Sequence, residues 1–439
     1  MASTKKQKKH LRFDALRTSL SGHFDNISDS RQPGKNNYST HDVLMSGFAC
    51  MYFQDPSLLH FQKRLEKKHQ KNNLQTIFRV KHTPQNSQMR EIIDNIPSSS
   101  LSPIFKDYFE RLRRHKHLKD YAVLPNMLMC VADGTQYHSS KTVKCDCCLH
   151  KKHRNGDVTY SHSVLQGAFM HPDQKQVIPV MPEPIKNSDG DKKQDCESKA
   201  MKRFIKKLRS THPRQDILLA GDGLMSNQPL IESVLEANMH YLFVAKPGDH
   251  KYMFEWIDAF NVLENREYTD DKGRIHRFTW KNKVPLNGKE DAIEVSYIEY
   301  QQVKEGKVTF KNSWVTDIEI TQENAISIAK AGRCRWKIEN ECFNSLKNQG
   351  YNLEHNYGHG EKNLSYNMYL LTLLAFFFHQ IFELTDGVYQ ACRKSYGSKQ
   401  HLWENFRSTI RMILIDSWDD LMDLLLNEDD WEVVAVKNS

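Results

Sequence analysis

Two aspartates stand where a carboxylate could hold a catalytic metal ion. Asp133 and Asp222 each end a run of apolar residues typical of a buried strand, and each is followed by a glycine. Ligands of α/β sheets bind at such strand ends. Carboxylate oxygens there are the ligands that Mg²⁺ or Mn²⁺ prefers. Either residue taken singly could instead be a turn residue or a helix N-cap.

A third acid, Glu339, lies in a stretch, 333–351, that has no proline and no glycine before Gly350, so a helix is predicted. At about 100° per residue its apolar residues form one stripe. That stripe contains Trp336, Ile338, Cys342, Phe343 and Leu346. The opposite face holds Lys337, Glu341, Asn344 and Ser345.

Arg335 and Glu339 fall inside the apolar stripe. A carboxylate on a buried face is costly unless it is paired or binds a metal. The pattern therefore predicts either an i,i+4 ion pair between these two residues or a metal-binding Glu339 steadied by Arg335. With Asp133 and Asp222, Glu339 would complete a set of carboxylates for two divalent ions, which clamp the attacking and leaving oxygens in a phosphodiester displacement.

The elements that must position these acids alternate between strand and helix from residue 127 onward. Apolar runs predict strands at 127–132, 164–170, 176–181, 217–220 and 241–245. Amphipathic patterns predict helices at 196–208 and 229–237. This order is that of an α/β domain with a mixed sheet.

Composition divides the chain into five predicted parts. They are a helical domain with basic faces at 1–120, the first part of the α/β catalytic domain at 121–246, a β-rich insertion at 247–321, the second part of the catalytic domain with the Glu339 helix at 322–385, and C-terminal helices at 386–439 that could contact a second copy. The longest apolar run, 368–378, is too short to span a bilayer and predicts a core helix.

The chain is moderately basic, with a formal net charge of +8 over 439 residues, which favours a polyanion as partner. The positive charge is concentrated in two clusters, Lys5, Lys6, Lys8, Lys9 and Arg12 at the start and Arg111, Arg113, Arg114, Lys116 and Lys119 further on. Charge runs are usually solvated helix faces. Two clusters in one helical domain are also the pattern of a DNA-binding surface.

The nine cysteines are odd in number and mostly isolated among apolar residues, which suits reduced thiols in a cytoplasm. The basic N-terminus is followed by no apolar stretch of the secretory kind. We therefore expect a cytoplasmic protein without a membrane partner.

One loop concentrates ligands that suit zinc. Cys145 and Cys148 form a C-x2-C pair, with His150, His153 and His162 following closely. No second C-x2-C pair follows, so the sequence leaves two interpretations open, a zinc site and a polar loop.

The order of these motifs resembles that of the DDE transposases of bacterial insertion sequences. The resemblance rests on Asp133-Gly-Thr, on Leu218-Leu-Ala-Gly-Asp222-Gly and on Arg335-Trp-Lys-Ile-Glu339-Asn, with the β-rich insertion before the last. Asp222 follows Asp133 by 89 residues and precedes Glu339 by 117, which suits a member of the family with an insertion.

A shorter match concerns the Tyr-Arg-Glu-Lys signature of this family. Arg335 and Glu339 match its Arg and Glu, whereas Gly332 stands where the Tyr is expected and Lys347 lies one position beyond the usual Lys. The resemblance implies supporting roles for Arg335 and Lys347.

The resemblance further implies an RNase H-like mixed sheet flanked by helices, with Asp133, Asp222 and Glu339 holding two Mg²⁺ or Mn²⁺ ions. The implied enzyme cuts DNA at the element's ends and joins the freed 3′-hydroxyl to target DNA. Its implied partner is double-stranded DNA, bound by a homodimer in a bacterial cytoplasm at the nucleoid. The basic N-terminal domain would bind the element ends.

Two other functions fit the same residues. One is an RNase H-like nuclease or resolvase that cuts DNA without joining it. The other is a non-catalytic DNA-binding protein derived from a transposase. The three intact acids argue against the non-catalytic protein, because a transposase that had lost its activity would be expected to lose these acids first.

Overall fold

The computed structural model describes residues 9–29, 31, 37–65, 72–187, 195–259, 262–430 and 432. The α-helices are α1 (Phe13–Asp25), α2 (Thr40–Tyr52), α3 (Leu58–Leu65), α4 (Asn73–Thr76), α5 (Asn86–Asn95), α6 (Ser102–Arg114), α7 (Glu197–Thr211), α8 (Gln228–Glu236), α9 (Lys251–Asp258), α10 (Ala325–Cys334), α11 (Asn344–Asn348), α12 (Leu364–Thr385), α13 (Gly387–Ser395), α14 (Lys399–Met412) and α15 (Trp418–Leu426). A π-helix, Ile338–Phe343, lies between α10 and α11.

The strands form one mixed sheet. They are β1 (Ala122–Leu124), β2 (Met127–Ser140), β3 (Leu149–Lys152), β4 (Val158–Met170), β5 (Ile178–Pro179), β6 (Glu183–Ile185), β7 (Asp216–Gly221), β8 (His240–Val244), β9 (Glu264–Thr269), β10 (Ile275–Pro285), β11 (Glu294–Lys304) and β12 (Lys307–Thr316). The main order across the sheet is β3-β4-β2-β7-β8-β12-β11-β10-β9.

The centre of this sheet has the predicted RNase H-like topology. β4 lies antiparallel to β2, β2 lies parallel to β7, and β7 lies parallel to β8. The parallel strands are covered by helices on both faces, which is why β7 is apolar and buried from Ile217 to Gly221. The predicted fold class, a mixed sheet flanked by helices, is confirmed.

Several strands differ in length from the prediction, and β4, for example, begins at Val158 and not at residue 164. β2 continues through Asp133 to Ser140, because β4 still pairs with it after β7 has ended. The predicted strand at 176–181 is reduced to β5, and β6, which was not predicted, follows it; both pair with β4.

The β-rich insertion extends the same sheet. β9 to β12 form an antiparallel ladder, and β12 pairs with β8 through Trp314 opposite Val244. The four strands β9 to β12 all lie within residues 247–321.

The N-terminal helices share a hydrophobic core with the C-terminal ones. The ring of Phe378 on α12 lies 5.0 Å from that of Phe48 and 5.2 Å from that of Tyr108. Phe13 stacks on Trp418 of α15 at 4.7 Å. The domain boundaries at 120, 246, 321 and 385 stay predictions.

Within the described residues, one helix, α12, is long and apolar enough to cross a membrane. However, 83% of its most apolar window is buried inside the protein, as expected for the predicted core helix.

The N-terminus of α12 is capped by a carboxylate from α5, a helix that is far from it in the sequence. Asp94 accepts hydrogen bonds from the backbone N–H groups of Glu361, Lys362, Asn363 and Leu364 at 2.8–3.0 Å. Burial by itself raises the pKa of Asp94, but these four donors lower it below its usual value. An anion at a helix N-terminus also interacts favourably with the helix dipole.

We predict that Asp94→Ala lowers the apparent free energy of unfolding at pH 7 by about 2 kcal/mol, because the N–H groups lose a charged acceptor. Because the folded-state pKa is lowered, this stabilisation is complete above the unfolded pKa of about 3.9 and is lost as the pH falls through the folded value. Thermal unfolding between pH 3 and 7 measures the effect. Glu91→Ala, an exposed change on the same helix, is the control, and an equal loss in both variants would contradict the prediction.

Candidate active site

Two adjacent parallel strands bring Asp133 and Asp222 together. Val131 of β2 is in register with Ala220 of β7, so the same register continued two residues onward sets Asp133 beside Asp222. Asp133 lies beyond Val131, the last residue of β2 that pairs with β7. The Asp222 carboxylate accepts from the backbone N–H of Leu224 at 3.0 Å and caps the short 3₁₀ helix Gly223–Met225. The turn role that the sequence left open is therefore present at Asp222.

Arg335 connects Asp133 to Glu339. Its Nη1 lies 3.1 Å from Asp133 Oδ2, and its Nη2 lies 3.1 Å from Glu339 Oε1. The side chains of Arg335 and Asp133 are 23% and 19% exposed, whereas that of Glu339 is 55% exposed. The predicted i,i+4 ion pair is thus present, and the same guanidinium reaches across to the sheet.

The predicted helical phase around Glu339 is wrong in detail. Trp336, placed in the apolar stripe, is 55% exposed. Lys337, placed on the wet face, donates from Nζ to the carbonyls of His171, Pro172 and Gln174 at 2.7–2.9 Å. The predicted continuous helix is interrupted here: α10 ends at Cys334, Arg335 and Trp336 form a turn, and the π-helix Ile338–Phe343 follows, so the spacing of 100° per residue is not kept.

The rest of the stripe packs as predicted. Ile338, Cys342, Phe343 and Leu346 are buried. Glu339 therefore does not lie within the buried stripe but at its rim, where the carboxylate can both pair with Arg335 and meet solvent. π-Helical turns of this kind often occur at functional sites.

The electrostatics of Asp133 reflect crowding by other acids. Burial raises its pKa, Arg335 and the Gly134 N–H lower it, and the charges of Asp222 and Glu339 raise it again. The result is a pKa above the usual value for aspartate. Asp222 and Glu339 therefore both lie within electrostatic reach of Asp133.

A fourth carboxylate, Glu197 at the start of α7, was not predicted. Its pKa is raised by burial and then by the charges of Asp133 and Asp222. A Cβ at position 134 would lie 1.9 Å from Glu197 Oε1, so Gly134 leaves the space that this carboxylate occupies. Glu in the first turn of a helix is usually read as helix stabilisation, so sequence alone gave no reason to join it to the aspartates.

Two of these four carboxylates, Asp133 and Glu339, pair with Arg335, and the other two, Asp222 and Glu197, interact electrostatically with Asp133, so negative charge is in excess. Their donor atoms are all hard oxygens, which match Mg²⁺ or Mn²⁺ and do not favour soft metals. The residues present therefore fit the divalent ions that the resemblance implies.

Lys347, the second predicted supporting residue, forms an ion pair with Glu354 at 2.9 Å. Its predicted role in the site stays a prediction.

The two basic clusters differ in how they are neutralised. Lys5, Lys6 and Lys8 lie outside the described residues, whereas Lys9 is exposed and Arg12 precedes α1. On α6, Arg111 pairs with Asp107 at 2.8 Å, Arg113 pairs with Glu110 at 2.7 Å, and Arg114 lies 4.0 Å from Glu110. Lys116 and Lys119 follow on the surface. Part of the cluster's charge is therefore already balanced within its own helix.

The Cys/His loop brings together three of its five predicted ligands and one other residue. Cys145, Cys148, His162 and His359 have ligand atoms that all lie within 4.8 Å of one another. His150 lies on the outer strand β3, and His153 Nε2 contacts Thr159 Oγ1 at 2.7 Å. His359 lies 197 residues after His162, so local spacing could not predict it.

The comparisons with known proteins indicate which class of protein this chain resembles. Residues 187–377 match the family model of the transposase DDE domain, a range that includes Asp222 and Glu339 but not Asp133. Residues 187–377 are therefore similar to a transposase DDE domain, and the resemblance of the chain to DDE transposases is confirmed. No match was found among curated proteins.

A similar solved structure is that of the piggyBac transposase in a synaptic complex with hairpin DNA. It is 12% identical, with a TM-score of 0.39, and the match covers 98% of this chain and 82% of that one.

Removing one acid should relieve repulsion in the site. We predict that Asp222→Asn raises the melting temperature in metal-free buffer by the equivalent of roughly 1 kcal/mol, because one of several like charges crowded into a partly buried site is removed. Asn can still accept from Leu224. Excess Mg²⁺ should stabilise the wild type more than the variant, since binding to the folded state raises stability.

Thermal unfolding with and without Mg²⁺ measures both effects. Asp216→Asn, at the exposed first residue of the same strand, should behave as wild type. A destabilised Asp222→Asn, or equal stabilisation of both proteins by Mg²⁺, would contradict the interpretation.

Proposed function

We propose that this protein is an active transposase that cuts the ends of its element and joins them to target DNA in a Mg²⁺-dependent reaction. The observation that carries the proposal is that Arg335 pairs with both Asp133 and Glu339, that strand register sets Asp222 beside Asp133, and that residues 187–377 match the transposase DDE domain.

Each acid would have a defined task. Asp133, Asp222 and Glu339 would hold the ions, with Glu197 close enough to Asp133 and Asp222 to share in this. When bound, the ions would activate the attacking oxygen and neutralise the leaving one. The raised pKa of Asp133 makes its charged form costly without a cation, so the site favours cation binding over remaining empty.

Arg335 would keep the site organised before DNA binds. Its two hydrogen bonds hold Asp133 and Glu339 at a fixed separation, and its charge offsets their repulsion. With cations held by these acids, the Arg335 guanidinium would be available to contact a phosphate of the DNA. Arg335 is therefore proposed as a positioning residue with a second role at the DNA backbone.

The proposal also covers the partner and the setting. Double-stranded DNA is the substrate, two copies of the chain would handle two element ends, and the reaction would take place on the nucleoid in a bacterial cytoplasm. A bacterial insertion sequence as source is part of this proposal.

The decisive test compares two neighbouring glutamates. Glu339→Gln should reduce both cleavage and strand transfer at least about 100-fold, because a charged ligand is removed from the reacting centre. Glu341→Gln should change either activity little. The assay uses full-length protein, Mg²⁺ and DNA carrying the inverted repeats that flank the coding sequence.

The outcomes separate the alternatives. Wild-type cleavage without joining would favour the nuclease, and binding without cleavage would favour the non-catalytic protein. An inactive Glu341→Gln together with an active Glu339→Gln would overturn the assignment of the third ligand. If the Glu339→Gln variant still folds and still binds the element ends, its loss of activity does not come from a structural defect.

The exposed basic residues after α6 should contribute to DNA affinity. The N-terminal helices form part of the common core, so deleting them would unfold the protein, and charge reversal is the suitable change. Arg114→Glu with Lys116→Glu and Lys119→Glu should weaken end binding and reduce the salt slope by about 1 for each phosphate that the variant no longer neutralises.

Binding isotherms at several salt concentrations measure this effect. Reversal of Lys272, Lys289 and Lys307, exposed lysines of the insertion, serves as a matched control for total charge. An unchanged slope in the first variant, or the same weakening in both, would place the DNA-binding surface elsewhere.

A further inference from the structure

We propose that Cys145, Cys148, His162 and His359 bind one structural zinc ion that joins the β2–β4 strand pair to the loop before α12. This site lies outside the carboxylate centre, uses none of its residues and goes beyond the proposed reaction.

The spacing of the four ligand atoms is that of a tetrahedron. The two sulfur atoms lie 3.8 Å apart. Sulfur-to-nitrogen distances are 3.6 Å for Cys145 to His162 and 3.5 Å for Cys148 to both His162 and His359. The two Nε2 atoms lie 3.0 Å apart.

A tetrahedral zinc ion accounts for the sulfur–sulfur and sulfur–nitrogen distances, whereas the two nitrogens, at 3.0 Å, lie closer together than this geometry gives. With Zn–S bonds of about 2.3 Å and Zn–N bonds of about 2.0–2.1 Å, the ligand atoms are separated by about 3.8 Å for two sulfurs, about 3.6 Å for sulfur and nitrogen, and about 3.4 Å for two nitrogens. A disulfide is not the explanation, because its S–S bond is about 2.05 Å and both cysteines are free.

The backbone prepares the cysteine pair. The N–H of Cys148 donates to the carbonyl of Cys145 at 3.1 Å, which closes the turn. The N–H of Cys145 points at Cys148 Sγ at 3.4 Å, a contact that stabilises a thiolate. The Asn187 side chain holds the Cys148 carbonyl at 2.8 Å. These bonds direct both sulfurs to one point.

The histidine ligands are oriented as a metal requires. His359 Nδ1 donates to the Gly360 carbonyl at 2.8 Å, so the tautomer leaves the Nε2 lone pair facing the cysteines. His162 approaches from β4, where it is in register with His138 of β2. Fixing the second ring nitrogen in this way is typical of zinc-bound histidine.

The ligand set selects the metal. Two thiolates and two imidazoles in a tetrahedron suit zinc, whereas Mg²⁺ prefers oxygen ligands. Four protein ligands leave no open position for water or substrate, so the site is structural. Cys148 and His162 are buried, which protects the metal from solvent.

The consequence is a link between two distant segments that lead to the carboxylate centre. β2 carries Asp133 and continues toward the cysteine loop, while the chain from Glu339 continues toward His359. A zinc ion would hold these segments together beside the cap that Asp94 forms on α12. Its loss should loosen the loop and lower stability.

The test is the metal content of full-length protein purified without added metal and dialysed. The wild type should hold about one zinc per chain by elemental analysis. Cys148→Ser and His359→Asn should lose most of it. Cys147→Ser and His153→Asn, which change the same loop outside the ligand set, should retain it.

Two further measurements test zinc binding without relying on the folding of the variants or on transposase activity. Cobalt exchanged into the wild type should give the visible absorption of a tetrahedral site, with sulfur-to-cobalt charge transfer. A strong chelator should lower the melting temperature of the wild type and of Cys147→Ser. Wild-type protein without tightly bound zinc, or equal zinc loss in Cys147→Ser and Cys148→Ser, would overturn the proposal whether or not the protein transposes DNA.

Discussion

Repulsion between carboxylates at one edge of the sheet is the constraint on which the rest of the structure depends. Asp133 and Asp222 are brought side by side by strand register, and Glu339 and Glu197 approach them from helices. Such an arrangement is stable only with a countercharge nearby. Arg335 provides it, so the segment that carries Arg335 must be held rigidly against the sheet. This segment is held in place by the three backbone carbonyls that bind Lys337 and by the buried side chains that follow it.

The β-rich insertion contributes to the same positioning. A Cβ at Gly332 would lie 2.5 Å from the ring of Trp314, so α10 packs directly on β12 at this glycine. One residue on, the guanidinium of Arg333 lies over the rings of Tyr300 and Phe310, with centroid distances of 5.0 and 4.7 Å. The glycine that stands where the family signature has tyrosine thus has a packing reason. The insertion does not merely interrupt the catalytic domain but fixes the helix that leads to Arg335.

The sequence predicted what depends on local pattern and missed what depends on distant contacts. Apolar runs ending in Asp-Gly identified the strands of Asp133 and Asp222, and the i,i+4 spacing identified the Arg335–Glu339 pair. The turn at Arg335–Trp336 and the π-helix after it were missed because helix propensity distinguishes neither from a continuous α-helix, and Trp336 and Lys337 were therefore assigned to the wrong faces. Glu197 and His359 reach their sites through tertiary packing alone, so spacing along the chain held no signal for them.

The carboxylate cluster has hard oxygen ligands and the Cys/His cluster has softer ones, so the two clusters favour different metal ions. Carboxylates would exchange Mg²⁺ readily, because its affinity at such sites is modest and it retains water, whereas a buried thiolate–imidazole set would retain zinc. A chelator could therefore abolish activity in two ways, by removing the exchangeable ions or by slowly removing the structural one. Mg²⁺ added back would reverse only the first. Because β2 runs from the carboxylates toward the cysteine loop, loss of zinc would also disturb Asp133 through the strand. Inactivation by loss of zinc would therefore be accompanied by a lower melting temperature. Inactivation by loss of Mg²⁺ would occur without unfolding.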